Sequence, residues 1–105
     1  MIYADNAATT KLDVDAFYAM RPFLLEQFAN VSQPYSFSRI ARKALKQARE
    51  VIATCINADT DEIFFTSGGT ESDNWALKGS MFVYSDHRTL ITSQIEHHAV
   101  LNSAA

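Results

Sequence analysis

Cysteine is almost missing from this 105-residue chain; Cys55 is the single one. No intrachain disulfide can form, and there is no framework of paired thiols. Three glycines and two prolines are too few for a collagen-like or low-complexity polypeptide. The charges are interspersed along the sequence with no run of one sign, and the formal net charge is −3. The basic footprint of a general nucleic-acid surface is therefore lacking, and no nucleic-acid partner is expected. Apolar runs are only a few residues long, far short of the ~20 needed to cross a bilayer. The opening Met1-Ile2-Tyr3-Ala4-Asp5-Asn6 shows neither a basic leader nor an apolar stretch of signal-peptide length. The expectation is a soluble, cytoplasmic protein without membrane contact.

What is there fits an ordinary globular domain: 48% of the residues are hydrophobic and 20% charged. No repeat, linker or low-complexity stretch divides residues 1–105, so one domain is expected. Asp13 is a predicted N-cap for a helix carrying Phe17, Met20, Leu24 and Phe28 at helical spacing. Pro22 lies inside that run and predicts a kink or break near Met20 or Arg21. Residues 30–37 turn polar and include Pro34, which reads as a loop. Ser38 then opens the clearest helix, Arg39 to Ile56. There Ala41, Leu45, Ala48, Ile52 and Cys55 form one apolar stripe, with Arg39, Arg42, Lys43, Lys46 and Arg49 mainly off it. On that stripe Cys55 is expected to be a small buried hydrophobe.

Turn formers at 57–61 lead to a predicted strand at 62–66, the turn Ser67-Gly68-Gly69-Thr70, and a helix over 71–78 closed by Gly79 at C′. A loop around Ser85-Asp86-His87-Arg88 precedes a second predicted strand at 89–93, and a last helix begins near Ala99. Strand, helix, strand is a βαβ unit and points to an α/β fold with a parallel sheet. Two short strands cannot make a stable parallel sheet unaided. By pattern alone the chain is expected to be a cut portion of a larger sheet.

The turn at 67–70 admits two readings. Gly68 and Gly69 allow close backbone approach to a ligand, and the helix that follows offers unpaired N–H groups at its positive end. That combination holds phosphate without a basic side chain. Alternatively the glycines only make the turn and Thr70 caps the helix. The segment matches neither the Walker A loop nor the Gly-x-Gly-x-x-Gly fingerprint. Glu71 and Asp73 favour the same helix end and would repel a phosphate unless they point away from it.

The stretch Thr66-Ser67-Gly68-Gly69-Thr70-Glu71-Ser72-Asp73-Asn74, followed by Ala76-Leu77-Lys78-Gly79, resembles the phosphate loop of cysteine desulfurases. These are class V aminotransferase relatives among the fold-type I enzymes that use pyridoxal 5'-phosphate (PLP). Asp5-Asn6-Ala7-Ala8-Thr9-Thr10 is similar to the family's N-terminal motif. Ile95-Glu96-His97-His98-Ala99-Val100-Leu101-Asn102 is similar to its cofactor-stacking histidine segment. Each fragment is modest alone; three in order, across all 105 residues, are specific.

The resemblance implies the N-terminal part of an incomplete three-layer α/β/α sheet of the PLP-dependent transferase type. It places the PLP phosphate on Gly69 and Thr70. His97 would lie on the pyridine ring and is a candidate acid/base, since imidazole stacks flat and exchanges protons near neutral pH. Without the resemblance, His97 and His98 read as an ordinary connection, and a zinc site is disfavoured because His-Glu-x-x-His is absent. The implied activity removes sulfur from L-cysteine, giving alanine and an enzyme persulfide for a sulfur-acceptor protein in iron–sulfur cluster or thiocofactor supply. A homodimer is implied for the full-length protein.

None of Lys11, Lys43, Lys46 or Lys78 stands in the family's Ser-x-His-Lys setting. Neither the Schiff-base lysine nor the nucleophilic cysteine is thus expected among these residues, and the chain alone is expected to be inactive. Where the family usually reads Gly-Asn-Pro-Ser-Ser, then His and Phe-Gly, this chain has Ala29-Asn30-Val31-Ser32-Gln33, Tyr35 and Phe37-Ser38. That departure leaves open another class V PLP enzyme, such as a selenocysteine lyase or an aminotransferase. A non-catalytic remnant is the third alternative.

Overall fold

The computed structural model describes residues 2–84, 86 and 89–104. Ser85, His87 and Arg88, in the expected loop, lie outside the described residues. The chain divides into two compact units, Met1–Ile63 and Phe64–Ala105.

In the first unit, helix α1 spans Val14–Leu25. The Asp13 carboxylate accepts from the backbone N–H groups of Asp15 at 2.9 Å and Ala16 at 3.1 Å, meeting two of the donors a helix start leaves unpaired. Pro22 does not break the helix at Met20 or Arg21 as expected. It sits in the last turn, where its fixed φ is helix-compatible and few downstream bonds remain to be lost. The Pro22 carbonyl receives the N–H groups of Glu26 at 2.9 Å and Gln27 at 2.8 Å, which ends the helix. Beyond it the Phe28 and Phe37 rings meet edge-on at 5.4 Å.

Helix α2, Arg39–Ile56, has the expected bounds. It stops at Asn57, which is left-handed at φ 55° and ψ 46°, a conformation asparagine adopts more readily than most residues. The Ala58 N–H reaches back to the Ala53 carbonyl at 2.9 Å, and Ala53 is buried. A single turn, Thr60–Glu62, touches α2; the Glu62 carboxylate accepts the Asp59 N–H at 2.8 Å. The apolar stripe of α2 is only partly covered. Leu45 is half-buried, Ile52 is 39% exposed, and Cys55 is exposed. The expectation of a buried Cys55 is therefore corrected: the stripe exists, but near its C-terminal end Ala53 is buried while Cys55 is exposed.

In the second unit, helix α3 spans Gly69–Val83 and packs against α4, His98–Ala104. Gly79 does not close α3. Glycine inside a helix costs about 1 kcal/mol relative to alanine, which does not forbid continuation. A Cβ on Gly79 would lie 3.5 Å from Cδ1 of Trp75, so the bare backbone sits beside that ring. The other side of Trp75 meets Phe64 at 5.1 Å between centroids. Ala99, buried, marks where α4 is covered.

The expected strands are not realised. Residues 63–66 and 89–93 form no ladder, and among the described residues there is no β-strand. The three-layer sheet expected from the sequence is therefore not assembled here. Strand pairing is non-local, and an extended segment gains ladder bonds only when neighbouring strands lie beside it. The consequence is an open apolar surface: Phe82, Ile91 and Ile95 are each more than four-fifths exposed.

Candidate functional site

The turn between Phe65 and α3 is held by side chains that bond one another. The Glu71 carboxylate folds back and accepts from the Ser67 backbone N–H at 2.7 Å and the Ser67 hydroxyl at 2.6 Å. Both bonds favour the ionised form, so the Glu71 carboxyl is held below its ordinary value of 4.5, chiefly by the Ser67 hydroxyl. One residue out, the Thr66 and Ser72 hydroxyls meet at 2.6 Å, and Thr66 Oγ1 donates to the Gly68 carbonyl at 3.1 Å. Glu71, expected as a possible repulsive charge at this helix end, is instead tied to Ser67. The four-residue spacing of Ser67 and Glu71 was the available signal for that clamp.

The start of α3 is left open. Gly68 occupies the N-cap position and no side chain caps the helix. Thr70 is not the cap: it lies inside the first turn and is exposed. Gly68 has φ 163°, extended backbone open to any residue, so the turn itself does not demand glycine. A Cβ at Gly68 or at Gly69 would meet nothing within 4 Å. The space beside the uncapped amides is thus free on the side where side chains would project. An anion fits such a place, because first-turn N–H groups and the helix dipole both favour negative charge.

His97 lies in the same unit, immediately before α4. Its Nδ1 accepts the Ala99 N–H at 3.1 Å. An acceptor nitrogen carries no proton, so the ring's proton sits on Nε2, and Nε2 is the atom left for other chemistry. The ring is exposed, and its neighbour His98 lies 6.3 Å away at 58°, aimed differently. Among the described residues no group of three or more His, Cys, Asp and Glu side chains could hold a metal ion. Among the described residues no helix is long and apolar enough to cross a membrane.

The profile of the aminotransferase class-V family matches residues 2–105. The chain belongs to that family. Among its class V relatives, the cysteine desulfurase IscS of Dictyoglomus turgidum is 52% identical over 101 residues, covering 95% of this chain and 26% of the relative. IscS of Methanosarcina thermophila is 46% identical over 105 residues, covering 99% of the chain and 26% of the relative. A solved class V structure described as a NifS-like protein superposes with a TM-score of 0.85 at 38% identity, covering 94% of this chain and 28% of the other. The chain spans about a quarter of the length of the curated relatives it matches. Its helices therefore carry the class V fold even though no ladder joins its extended segments.

A second polar cluster, in the first unit, was not foreseen. Ser38 is fully buried. Its hydroxyl is within 2.7 Å of the carbonyl oxygens of Gln33 and Tyr35 and accepts from Arg42 Nη2 at 3.0 Å. Arg42 Nη2 also donates to the Gln33 carbonyl, and its Nε to the Val31 carbonyl at 3.1 Å. The loop that departs from the family pattern is thus stapled to α2. The Ser38–Arg42 spacing of four residues was visible in the sequence; the loop carbonyls they reach were not.

Proposed function

We propose that this chain is the N-terminal portion of a PLP-dependent cysteine desulfurase. In this reading the complete enzyme takes sulfur from L-cysteine, releases alanine, and passes the sulfur through an enzyme persulfide to an acceptor protein. Iron–sulfur cluster assembly is the proposed use of that sulfur. The observation that carries the reading is the uncapped start of α3 with free space beside Gly68 and Gly69, in a chain about half identical to enzymes named cysteine desulfurase.

The residues present fit the cofactor. Gly69 and Thr70 would hold its phosphate, the first through backbone N–H and the second through N–H and hydroxyl. The Ser67–Glu71 bonds keep the Glu71 carboxylate occupied inside the protein. His97 would cover the ring, with Nδ1 bound to Ala99 and Nε2 available to hold or move a proton. When bound, PLP supplies an electron sink for chemistry at the substrate's α-carbon. All 105 residues belong, in this reading, to one domain, and residues 63–66 and 89–93 join a parallel sheet with strands of the longer protein. A homodimer and a cytoplasmic location are part of the same reading; a single thiol suits a reducing compartment.

The test grafts this segment onto the remaining three-quarters of the Methanosarcina thermophila relative and measures L-cysteine-dependent alanine and sulfide. Turnover that depends on added PLP and falls with Thr70→Ala and His97→Ala is expected. A folded, PLP-loaded graft that leaves L-cysteine untouched, but acts on selenocysteine or transfers an amino group, would replace this reading with another class V activity. The stapled loop over residues 31–38 is where such a difference would originate.

A further inference from the structure

The N-terminal half of α2 carries a charge arrangement that its own helix disfavours. Arg39, Arg42, Lys43 and Lys46 line one furrow of about 660 Å³ together with Ser36 and Ile40. They hold four of the nine lysine and arginine residues of a chain with twelve acids. Three of the four sit in the first five residues of α2, at the positive end of the dipole, and no acid stands in its first turn. Spacings of three and four residues set them side by side, which for like charges is repulsive. Among the described residues, Lys46 meets Glu50 at 3.6 Å, while no carboxylate lies within ion-pair distance of Arg39 or Lys43. Arg42 is committed to the carbonyls of the stapled loop, so its position is held while its charge still adds to the furrow.

We propose that this furrow is a docking surface for an acidic segment of a partner protein. The proposal is independent of the PLP reading, since every residue in it lies in the first unit. The charged face runs over eight residues, Arg39 to Lys46, about 10 Å of helix, which matches two turns of a peptide with carboxylates at helical spacing. A nucleic acid would need a basic track longer than these two turns of helix. Exposed Ile40 in the furrow offers an apolar contact that a carboxylate-bearing side chain's methylenes can use.

The experiment measures binding of a fluorescein-labelled oligoglutamate peptide to the full chain by anisotropy at about 50 mM salt. Reversing the two unpaired cations, Arg39→Glu with Lys43→Glu, is expected to weaken binding by about tenfold or more. The same reversal places one acid in the first turn of α2, at residue 39, and the other at its fifth residue, so helicity by circular dichroism should hold or rise. Loss of binding with gain of helix is a signature that a merely structural role does not produce. Arg39→Gln with Lys43→Gln repeats the test without added negative charge. Three results would overturn the proposal. Lys11→Glu with Lys78→Glu could weaken binding equally; an oligothymidylate could bind more tightly than oligoglutamate; or sedimentation could show that this face joins two copies of the chain.

Discussion

Two polar clusters in this chain use similar side chains to opposite effect. Around Ser38 a hydroxyl, a guanidinium and three loop carbonyls close on one another, and the hydroxyl is wholly removed from water. Around Ser67 three hydroxyls and a carboxylate also bond internally, but at the surface, and they leave the first turn of α3 without a cap. The first cluster spends its polar groups on holding a loop to a helix. The second holds a turn while leaving backbone donors pointing outward. A buried polar network must be complete within the protein, because an unpaired group there costs its full desolvation. An exposed one can leave donors for a ligand.

The sharpest way to break this contrast is at Ser38. Ser38→Ala should leave one Arg42 donor short of a partner and take one bond each from the Gln33 and Tyr35 carbonyls, which keep Arg42 Nη2 and the residue-38 N–H. A loss of about 1–3 kcal/mol in local stability is expected, read as faster amide exchange over residues 31–38. Protection unchanged in that variant would mean the staple is incidental.

Next in size is the end of α2. Asn57→Ala puts a residue with little tolerance for φ 55° at a left-handed position and should cost about 1 kcal/mol, while Asn57→Gly should be neutral or stabilising. Helix content against temperature separates the two.

At the other cluster the expected sign reverses. Gly69→Ala adds a Cβ that meets nothing, so the isolated chain should gain about 0.5 kcal/mol of helix stability. In the grafted enzyme the same methyl should weaken retention of PLP, measured by equilibrium dialysis. If both quantities move together, the open space at Gly69 has no relation to a ligand.

The pH dependence of the Ser67 clamp is smaller. Glu71 is held below its ordinary value of 4.5 in the folded chain, so its contribution is present above that pH and is lost as pH falls through the depressed folded value. The Ser67 amide resonance should shift in that acidic window, and Glu71→Gln should abolish the shift. The smallest effect is expected from Glu50→Ala. The Lys46–Glu50 pair is exposed at both ends, and its lysine-first order is the weaker one, so less than about 0.5 kcal/mol should be lost.

The features legible beforehand share a cause. The bounds of α2, the cap at Asp13 and the turn formers after Ile56 follow from interactions within four or five residues, which the order of side chains determines directly. The glycine turn stands out in the same way at a helix start, whereas His97 stands out only through the resemblance of residues 95–102 to the family's histidine segment. Where local rules compete, residue order is a weaker guide. Pro22 lies in the last turn of α1 rather than mid-helix, and Gly79 continues α3 beside Trp75 rather than ending it. Thr70 was a cap in one reading and an exposed first-turn residue in fact.

Local order of residues thus determined where this chain coils, where its helices begin, and which short segments have the composition of strands. Tertiary structure alone decided that Ser38 and Arg42 would reach across to Val31, Gln33 and Tyr35. It also decided that residues 62–66 and 89–93 would form no ladder. The physical reason is range. A helix satisfies its backbone with neighbours in sequence, whereas a buried hydroxyl or a strand needs partners that only folding brings near.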